Sequence, residues 1–312
     1  MTSLIAGAAG FIGSHLTDAL LAAGYTVVGV DNLSLGSRKN LAHLEGHSNF
    51  QFVEADFSSP DETRAIFDRF VFDEVYHLVA NSDIRKSSEN PVIEYDNTLN
   101  TTYHILENMR RRGVKRLFFA SSSAIYGEKT DLILTEETGP LTPVSYYGAA
   151  KLASEALISA YSHMNAMQSV LFRFPNVIGP RLTHGVVFDF IKKLRADPTV
   201  LEILGDGTQE KPYMHVSDLV EGILFAMKEL NREAVNIYNI GVDSATSVRE
   251  IADRVCSGMG LKDVQYRFTG GNIGWKGDVP RFRYDLSKIH AAGWKPRYTS
   301  GEAVMRTIRD NV

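Results

Sequence analysis

Two groups of residues, far apart in the sequence, could together carry out redox chemistry. The segment Gly7–Gly13 has glycine at its first, fourth and last positions and follows the apolar run Leu4–Ala6. Tyr147 and Lys151 are spaced one helical turn apart, and the hydroxyl groups of Ser121–Ser123 precede them in the chain. A glycine turn suits a dinucleotide pyrophosphate, and a tyrosine–lysine pair suits proton removal from a carbinol. Together the two groups predict an enzyme that moves a hydride between a carbinol carbon and a nicotinamide.

Each glycine of the first group has its own physical task. Gly7 permits a tight turn after the strand, Gly10 lets the backbone approach a pyrophosphate, and Gly13 lets the following helix pack closely. That helix should begin at Phe11, where free N–H groups and the positive end of the dipole attract phosphate. A glycine turn kept for packing alone is the alternative. The flanking strand, the helix and a later carboxylate favour the dinucleotide.

That carboxylate is Asp31, which ends the second predicted strand and lies 18 residues after Gly13. A carboxylate there can accept hydrogen bonds from the adenine-ribose hydroxyls and would repel a 2′-phosphate, so we expect NAD rather than NADP. Arg38 could reach such a phosphate, and it leaves NADP open. Asp56, after the third strand, suits an adenine contact. It suits equally the N-cap of a helix that starts near Ser58–Asp61.

The Tyr147 and Lys151 pair lies at positions i and i+4 of a predicted helix, so the two side chains share one face. A free tyrosine titrates near pH ~10, and a neighbouring ammonium lowers that pKa by favouring the phenolate. We expect Tyr147 to take the proton of a sugar hydroxyl and Lys151 to hold the nicotinamide ribose. Ser122 should hydrogen-bond the reacting oxygen, with Ser123 as the alternative. In isolation the same spacing would fit a solvated helix face.

The elements that position these groups alternate through the first half of the chain. Strands are predicted at Leu4–Ala6, Thr26–Val30, Gln51–Val53, Glu74–Leu78, Arg116–Ala120 and Ser169–Phe174, and helices at Phe11–Ala23, Asp61–Phe70, Pro91–Arg112 and Tyr146–Met164. This alternation predicts an α/β fold with a doubly wound parallel sheet, the Rossmann architecture.

After Phe174 the alternation breaks and glycine and proline punctuate shorter elements. We predict an NAD-binding domain over 1–175 and a smaller mixed α/β substrate lobe over 176–312. A segment near 214–242 should return to the first domain, with a helix at Val216–Leu230 and a strand at Asn236–Ile240.

Composition excludes several other classes of protein. The chain has 312 residues, 44% hydrophobic and 22% charged, which is the balance of an ordinary globular protein with a sizeable core. A net charge of −4 gives no basic surface for nucleic acid, and no apolar run is long enough to span a membrane. His43 and His47 flank Gly46 without a third ligand, so we expect no metal site. Cys256 is the one cysteine, and a reducing, cytoplasmic location is expected.

The motifs resemble, in order and over essentially the whole chain, those of the extended short-chain dehydrogenase/reductases of the nucleotide-sugar epimerase and dehydratase family. The matching stretches are the glycine turn at 7–13, Asp31-Asn32, His77–Ala80, Ser121–Gly127, Tyr147–Lys151, Arg173–Arg181, His215–Asp218 and Gly277–Pro280. The resemblance implies a resident NAD, a nucleotide-sugar substrate and a homodimer that pairs the helices at 91–112 and 146–164.

The resemblance also assigns site residues. For the cofactor it implies Gly7, Gly10, Phe11, Ile12, Gly13, Asp31, Asn32, Ser34, Arg38, Asp56, Phe57, Leu78, Ala80, Asn97, Ser121, Tyr147 and Lys151. For the substrate it implies Ser82, Arg85, Ser122, Ser123, Tyr147, Asn176, Arg181, Val187, Lys211, Tyr213 and Arg281. Catalysis is assigned to Ser122, Tyr147 and Lys151.

The chain departs from the family pattern at several substrate positions. Lys211 replaces an arginine, and a point charge cannot grip a phosphate in the bidentate way that a guanidinium can. Trp275 stands where a further arginine is expected, with Lys276 and Arg281 as the nearby cations. Asn81 is also unusual at its position. These changes leave the nucleotide base and the diphosphate pose open.

A further departure bears on the reaction. The family's 4,6-dehydratases follow the catalytic serine with an Asp-Glu pair, and its uronate decarboxylases usually carry a glutamate at the second of these positions. Here Ser123-Ala124 stand in both places. We therefore expect redox-neutral epimerisation at C4 of a UDP-hexose, UDP-hexosamine or UDP-hexuronate. Net oxidation or reduction of a nucleotide sugar, dehydration, and a non-catalytic NAD-binding regulator remain the alternatives.

Overall fold

The structure, a computed structural model, describes residues 1–81, 84–130, 132–230, 232–271, 273–274 and 277–312, with the backbone alone for 84–86. The strands are β1 (Thr2–Ala6), β2 (Thr26–Asp31), β3 (Phe50–Glu54), β4 (Glu74–His77), β5 (Arg116–Ser122), β6 (Ile133–Leu134), β7 (Gln168–Phe174), β8 (Asn176–Ile178), β9 (Val200–Ile203), β10 (Glu210–Lys211), β11 (Tyr213–His215), β12 (Val235–Asn239), β13 (Thr246–Ser247), β14 (Gln265–Phe268) and β15 (Arg283–Tyr284). The helices are α1 (Phe11–Ala22), α2 (Pro60–Arg69), α3 (Ile84–Glu89), α4 (Val92–Glu94), α5 (Thr101–Arg112), α6 (Tyr146–Asn165), α7 (Val186–Ala196), α8 (Val216–Phe225), α9 (Val248–Gly258), α10 (Ser287–Ala291) and α11 (Ser300–Asn311).

A parallel sheet runs through the centre of the described chain, and its strand order is β12-β7-β5-β4-β1-β2-β3. The order reverses at β1, which pairs with β2 on one side and with β4 on the other. In a doubly wound sheet, ligands bind in the crevice outside the carboxyl ends of the strands at such a reversal. The predicted Rossmann architecture is confirmed.

Both faces of this sheet are covered by helices, which explains why its strands are almost entirely apolar. Neighbouring residues of one strand enter different cores because successive side chains point to opposite faces. Leu4 and Leu117 belong to one cluster, whereas Ile5 and Phe118 belong to the other. Helices α1 and α8 pack against the face of Ile5, and α2, α5 and α6 contribute to the cluster on the opposite face.

The helix predicted over Pro91–Arg112 is not continuous. Helix α4 passes into a π-helical turn at Tyr95–Asn100 before α5 begins. In this turn the hydroxyl of Thr101 donates to the carbonyl oxygen of Asp96, five residues earlier, at 3.1 Å. The helix predicted over Val216–Leu230 likewise ends in a π-helical turn at Ala226–Leu230. The sequence periodicity predicted both segments but not these turns, which are frequent at functional sites.

The second half of the chain builds a further apolar cluster, to which α7, β9, α9 and α11 contribute Phe190, Leu201, Ile251 and Val304. Strand β12 nevertheless lies in the main sheet, parallel to β7. The chain therefore crosses back to the sheet after β11 and α8. Nowhere in the described ranges is there a helix with the length and apolar character needed to cross a membrane.

Candidate active site

The glycine turn lies where the sheet order reverses, between β1 and α1. Gly7 adopts a φ of +91°, which side-chain-bearing residues rarely adopt. A Cβ atom on Gly13 would lie 2.0 Å from the carbonyl oxygen of Gly7, so only glycine fits there. Gly10 caps α1 without a side-chain hydrogen bond, and the first turn of α1 carries no acidic residue. The N–H groups at this helix end are therefore available to an anionic group such as a pyrophosphate.

Asp31 ends β2 directly beside this turn and is 8% exposed. Its carboxylate accepts hydrogen bonds from the backbone N–H of Ala9 at 3.0 Å and of Leu33 at 2.8 Å. Burial raises the pKa of Asp31, although these backbone donors oppose the rise. A Cβ atom on Gly36 would lie 2.8 Å from the carboxylate, a requirement that the sequence analysis missed. The carboxylate thus borders the turn, as the ribose assignment requires.

Arg38, which could favour a 2′-phosphate, already has partners. Its guanidinium forms an ion pair with Glu54 and stands over the ring of Phe52 at 5.1 Å from the centroid. Its side chain is largely exposed, so the pair is weak. Even so, the nearest fixed charge beside the glycine turn is the carboxylate of Asp31, which favours NAD.

Asn32 and Asp56, which follow β2 and β3, are joined by a side-chain hydrogen bond. The amide of Asn32 donates to Asp56 Oδ2 at 2.9 Å, and Asp56 Oδ1 accepts from the backbone N–H of Ser58 at 2.7 Å. Although partial burial opposes it, the hydrogen bonds from Asn32 and Ser58 lower the pKa of Asp56. The N-cap of α2 is Ser59, so the structure rules out Asp56 as that cap. The backbone N–H of Ser34 donates to the Asn32 side chain at 3.0 Å.

Several other predicted cofactor residues lie around the same crevice. The backbone of Leu78 follows β4 and lies against Gly7. The side chain of Phe57 is buried in the apolar cluster under the sheet, so only its backbone could face a ligand. Asn97 lies in the π-helical turn and is partly buried.

Helix α6 carries the catalytic pair, and Ser145 starts this helix by accepting a hydrogen bond from the N–H of Gly148 at 3.1 Å. Tyr147 lies in the first turn, and Ser122, at the end of β5, hydrogen-bonds to its hydroxyl group. Burial raises the pKa of Tyr147 to about 12; the Ser122 bond opposes the rise and the charge of Glu94 adds to it. We predicted that Lys151 would lower this pKa. The pKa instead rises, because burial and the charge of Glu94 both raise it.

Lys151 lies beneath the tyrosine and is 1% exposed. Its Nζ donates to the carbonyl oxygen of Ala120 at 2.6 Å and stands 4.7 Å from the ring centroid of Phe119 and 5.8 Å from that of Tyr147. Burial lowers the pKa of Lys151 to about 7, and the charges of Glu94 and Glu155 oppose that fall. The lysine is therefore held under the site by β5 and has donors left for ribose hydroxyls.

A buried network of hydrogen bonds and one ion pair surrounds Glu155, which lies one helical turn after Lys151 on α6. Glu155 on α6 forms an ion pair with Arg173 of β7 at 2.7 Å, and it accepts a hydrogen bond from the hydroxyl of Ser121. Arg173 also donates to the hydroxyl oxygen of Tyr126 at 3.0 Å. Ser121 was predicted to contact the cofactor, but its hydroxyl faces Glu155. The sequence analysis missed Glu155, although an acid four residues after Lys151 on the same face was a signal for it.

The two positions where the family's dehydratases carry an acid pair are Ser123 and Ala124 in this chain, and neither is acidic. Ser123 begins a short 3₁₀ turn near the buried Tyr284, whose hydroxyl has no hydrogen-bond partner among the described residues and whose pKa is raised by burial. The carbonyl oxygen of Ala124 lies so close to Gly148 that a Cβ atom there would be 2.5 Å away. This contact explains why glycine follows Tyr147, and it packs the 3₁₀ turn that begins at Ser123 closely against α6.

The predicted substrate residues do not all converge. Asn176 and Tyr213 face each other across the paired strands β8 and β11, and their side chains hydrogen-bond. Lys211 forms a largely buried ion pair with Asp278. Arg281 lies beside Glu210 and donates to the carbonyl oxygen of Thr208 at 3.1 Å.

Two other predicted substrate residues lie away from this group. Arg181, with a φ of +67°, directs its guanidinium to Asp18 of α1 at 2.8 Å, so that cation is already paired. The side chain of Val187 is buried in the apolar cluster of the second lobe and cannot contact a substrate. Ser82, Trp275 and Lys276 lie outside the described residues, as does the side chain of Arg85.

Glu94 is a further residue of the site that the sequence analysis missed. Glu94, at the end of α4, is 2% exposed, and its two oxygens accept hydrogen bonds from the side chains of Asn81 and Thr98. Its charge acts on both Tyr147 and Lys151. The unusual Asn81 was a signal, because a buried amide needs a partner.

Comparison with known proteins agrees with this geometry. Residues 3–241 match the NAD dependent epimerase/dehydratase family. A relative from Methanocaldococcus jannaschii, described as a putative UDP-glucose 4-epimerase, is 34% identical over 98% of this chain and 96% of its own length.

Solved structures give the same result. A UDP-galactose 4-epimerase has a TM-score of 0.88 and 37% identity, with 99% of this chain and 98% of the other covered. The UDP-glucose 4-epimerase of Thermus thermophilus, solved in complex with NAD, has a TM-score of 0.88 and 32% identity with the same coverage. Because the family's model covers residues 3–241 and relatives match nearly the whole chain, the chain belongs to the NAD-dependent epimerase/dehydratase family.

Proposed function

We propose that this protein interconverts nucleotide sugars that differ in configuration at C4, with a UDP-hexose as the first candidate substrate. The observation that supports this most is the grouping of Ser122, Tyr147 and Lys151 at the carboxyl end of β5, beside the glycine turn. The relatives described as UDP-glucose and UDP-galactose 4-epimerases, which match over nearly the full chain, support the same reaction.

In this proposal the chain's own residues orient the sugar and move one proton. Tyr147 takes the proton of the 4-hydroxyl and later returns it, while Ser122 holds the reacting oxygen by a hydrogen bond. Lys151 donates to the nicotinamide ribose, and Gly7–Gly13 and Asp31 hold the pyrophosphate and the adenine ribose. NAD held there would supply the acceptor for the hydride lost from C4 and the donor that returns it to the opposite face of the 4-keto sugar, and its positive charge would favour the ionised form of the tyrosine.

Ser123 and Ala124 argue for epimerisation over elimination or decarboxylation. Loss of water from the sugar requires a general acid beside the leaving hydroxyl. In the described part of the site, Ser123 offers a neutral hydroxyl in place of a carboxyl group, and Ala124 has no functional group. Glu94 is the nearby carboxylate, but both of its oxygens already accept hydrogen bonds from neutral donors.

In this proposal the two lobes bind different ligands. Residues 1–175 with the segment near 214–242 bind NAD, and the rest of 176–312 binds the nucleotide sugar through Asn176, Lys211, Tyr213 and Arg281. The separate apolar cluster of the second half supports this division. Lys211 is paired with Asp278, so the two side chains together present less net positive charge to the diphosphate than an unpaired arginine would.

A homodimer in the cytoplasm completes the proposal. Tyr95 and Tyr103 are half exposed on the helical segment that pairs in dimers of this family. Light scattering should give a mass twice the 34.6 kDa of one chain. A chain with one cysteine suits a reducing compartment.

The test compares two neighbouring tyrosines. Tyr147→Phe removes the proposed base and should lower turnover of UDP-glucose by about 10²–10⁴-fold, because that is the usual contribution of a positioned acid–base group. Tyr146→Phe makes the same chemical change at an exposed side chain and should leave turnover unchanged. Both variants should still retain NAD, measured by its release on denaturation. Full activity in Tyr147→Phe would exclude the assigned base.

A further inference from the structure

Helix α1, which begins at the glycine turn, presents a stripe of three side chains to the second half of the chain. Phe11, His15 and Asp18 are spaced i, i+4 and i+7, so they share one face of the helix. Phe11 packs against the apolar cluster of the second half as well as against a cluster of the main sheet. The ring of His15 meets that of Phe11 edge-on, with 5.8 Å between the centroids. This face of α1 is therefore a contact between the two lobes.

Residues 179–182, which follow β8 and are here called the substrate loop, lie on this stripe. Nε2 of His15 lies 2.9 Å from the carbonyl oxygen of Pro180, and since a carbonyl oxygen only accepts, this nitrogen carries the proton. Nη2 of Arg181 lies 2.8 Å from Oδ2 of Asp18. Two successive residues of the loop are thus bound to α1, one through its backbone and one through its side chain.

The backbone of Arg181 indicates that its side chain is held in place. Its φ of +67° lies in the left-handed region, which residues other than glycine rarely adopt and keep where surrounding contacts fix them. Leu182, the next residue, is buried in the apolar cluster of the second half. The loop is therefore fixed to α1 by Arg181 and to the substrate lobe by Leu182.

The carboxylate of Asp18 contacts two cationic side chains through different oxygens. Its Oδ2 accepts from Arg181, and its Oδ1 lies 2.6 Å from Nε2 of His43, in the 3₁₀ segment Arg38–Leu44. Among the described residues, Asp18 is the one carboxylate within ion-pair distance of Arg181. Removal of the His43 side chain should leave that ion pair intact, which makes this histidine a matched control.

We infer that Asp18 is a positioning residue that fixes the substrate loop to the cofactor helix, and that Arg181 is its partner and not a ligand of the nucleotide sugar. The inference rests on the proposed function, in which Asn176, three residues before the loop, contacts the substrate. Because α1 also begins at the pyrophosphate site, this one helix sets the sugar site relative to the cofactor. The rival explanation is a direct substrate contact through Arg181 Nη1, which is buried and has no hydrogen-bond partner among the described residues.

The first test needs no substrate, so it separates this inference from the proposed function. Trypsin cleaves after arginine, and the initial rate of cleavage after Arg181 is followed by the mass of the fragments. Asp18→Asn releases the loop and should raise this rate about tenfold, because cleavage follows local opening. His43→Gln should leave the rate unchanged, and Arg181→Met should abolish the fragment and so identify the bond. An unchanged rate in Asp18→Asn would overturn the inference.

The second test separates a positioning role from a direct substrate contact. UDP is titrated into the NAD-loaded wild type, Asp18→Asn, Arg181→Met and the double variant. A positioning role predicts that each single change weakens UDP binding about tenfold and that the double variant loses no more. A direct contact predicts weaker binding in Arg181→Met but equal or tighter binding in Asp18→Asn, where the arginine is freed. That second pattern, or no change in either variant, would overturn the inference.

The kinetic constants distinguish a positioning role from a general loss of structure. In Asp18→Asn the KM for UDP-glucose should rise about tenfold while kcat stays unchanged, because the catalytic groups on β5 and α6 stay in place. A fall in kcat with an unchanged KM would contradict the positioning role. If the wild type binds no UDP, the proposed UDP-sugar function fails, and the trypsin measurement alone decides the inference.

Discussion

The burial of Lys151 is a single-residue feature that lowers the stability of the folded protein. Burial lowers its pKa to about 7, whereas the same side chain in the unfolded chain titrates near 10.5. Between these values the unfolded state binds more protons than the folded state, so stability rises with pH. For the protein stripped of NAD, the free energy of unfolding should increase between pH 7 and 9 by up to about 1.4 kcal/mol per unit.

Urea denaturation of the wild type and of Lys151→Met over this pH range tests the expected rise. The rise should be present in the wild type and absent in the variant, because methionine has no proton to lose. Equal slopes in both proteins would show that Lys151 is protonated and solvated in the folded state.

At the scale of residues, the sequence predicted those site residues whose placement depends only on their spacing within one element. The i, i+4 relation of Tyr147 and Lys151 and the position of Asp31 after its strand required no tertiary information. Pairings across the fold could not be predicted in the same way. Arg181 pairs with Asp18 of α1, and Glu94 accepts a hydrogen bond from an amide 13 residues earlier in the chain. These contacts depend on how the elements pack.

At the scale of elements, the turn between β1 and α1 gives a sharp prediction. A Cβ atom at Gly13 would lie 2.0 Å from a backbone oxygen, so the backbone of the turn must move. Gly13→Ala should weaken NAD binding at least about tenfold, or about 1.4 kcal/mol. Gly139→Ala is the control, because no atom of the described residues lies within 4 Å of the added methyl group. Isothermal titration with NAD measures both, and equal affinities would contradict the proposed pyrophosphate site.

A second prediction concerns the ion pair that joins α6 to β7. Glu155→Gln leaves the Arg173 charge buried and should lower the free energy of unfolding by about 3–5 kcal/mol. Glu107→Gln breaks the exposed pair with Arg110 and should cost no more than about 1 kcal/mol. Urea denaturation of both variants gives the comparison. A similar small loss in the two would mean that the buried network does not hold the catalytic helix.

The elements themselves were largely predictable, because strands buried on both faces are short and apolar and because the helices are amphipathic. The π-helical turn at Tyr95–Asn100 was not predictable from periodicity. It arises where polar side chains such as Thr98 and Thr101 bond inward. The π-helical turn begins directly after Glu94, whose charge acts on Tyr147 and Lys151.

At the scale of the whole molecule, the reversal of strand order at β1 creates one crevice, and the second half of the chain stands over its sugar end in this proposal. The family follows from the matching of nearly the whole chain, and the reaction follows from the site. The sugar depends on the substrate lobe, where Lys211 pairs with Asp278 and Arg281 lies at the surface. The motifs did not reveal these pairings, because they depend on how the elements of the second half pack.

The most direct measurement is mass-resolved chromatography of nucleotide sugars incubated with the purified protein and no added cofactor. UDP-glucose, UDP-galactose, their N-acetyl forms and the uronates form the panel. A C4 epimerase with resident NAD should give a new peak of unchanged mass from at least one of them, and the reverse reaction from that product. A product lighter by water or carbon dioxide, or conversion that requires added NAD in stoichiometric amount, would contradict epimerisation.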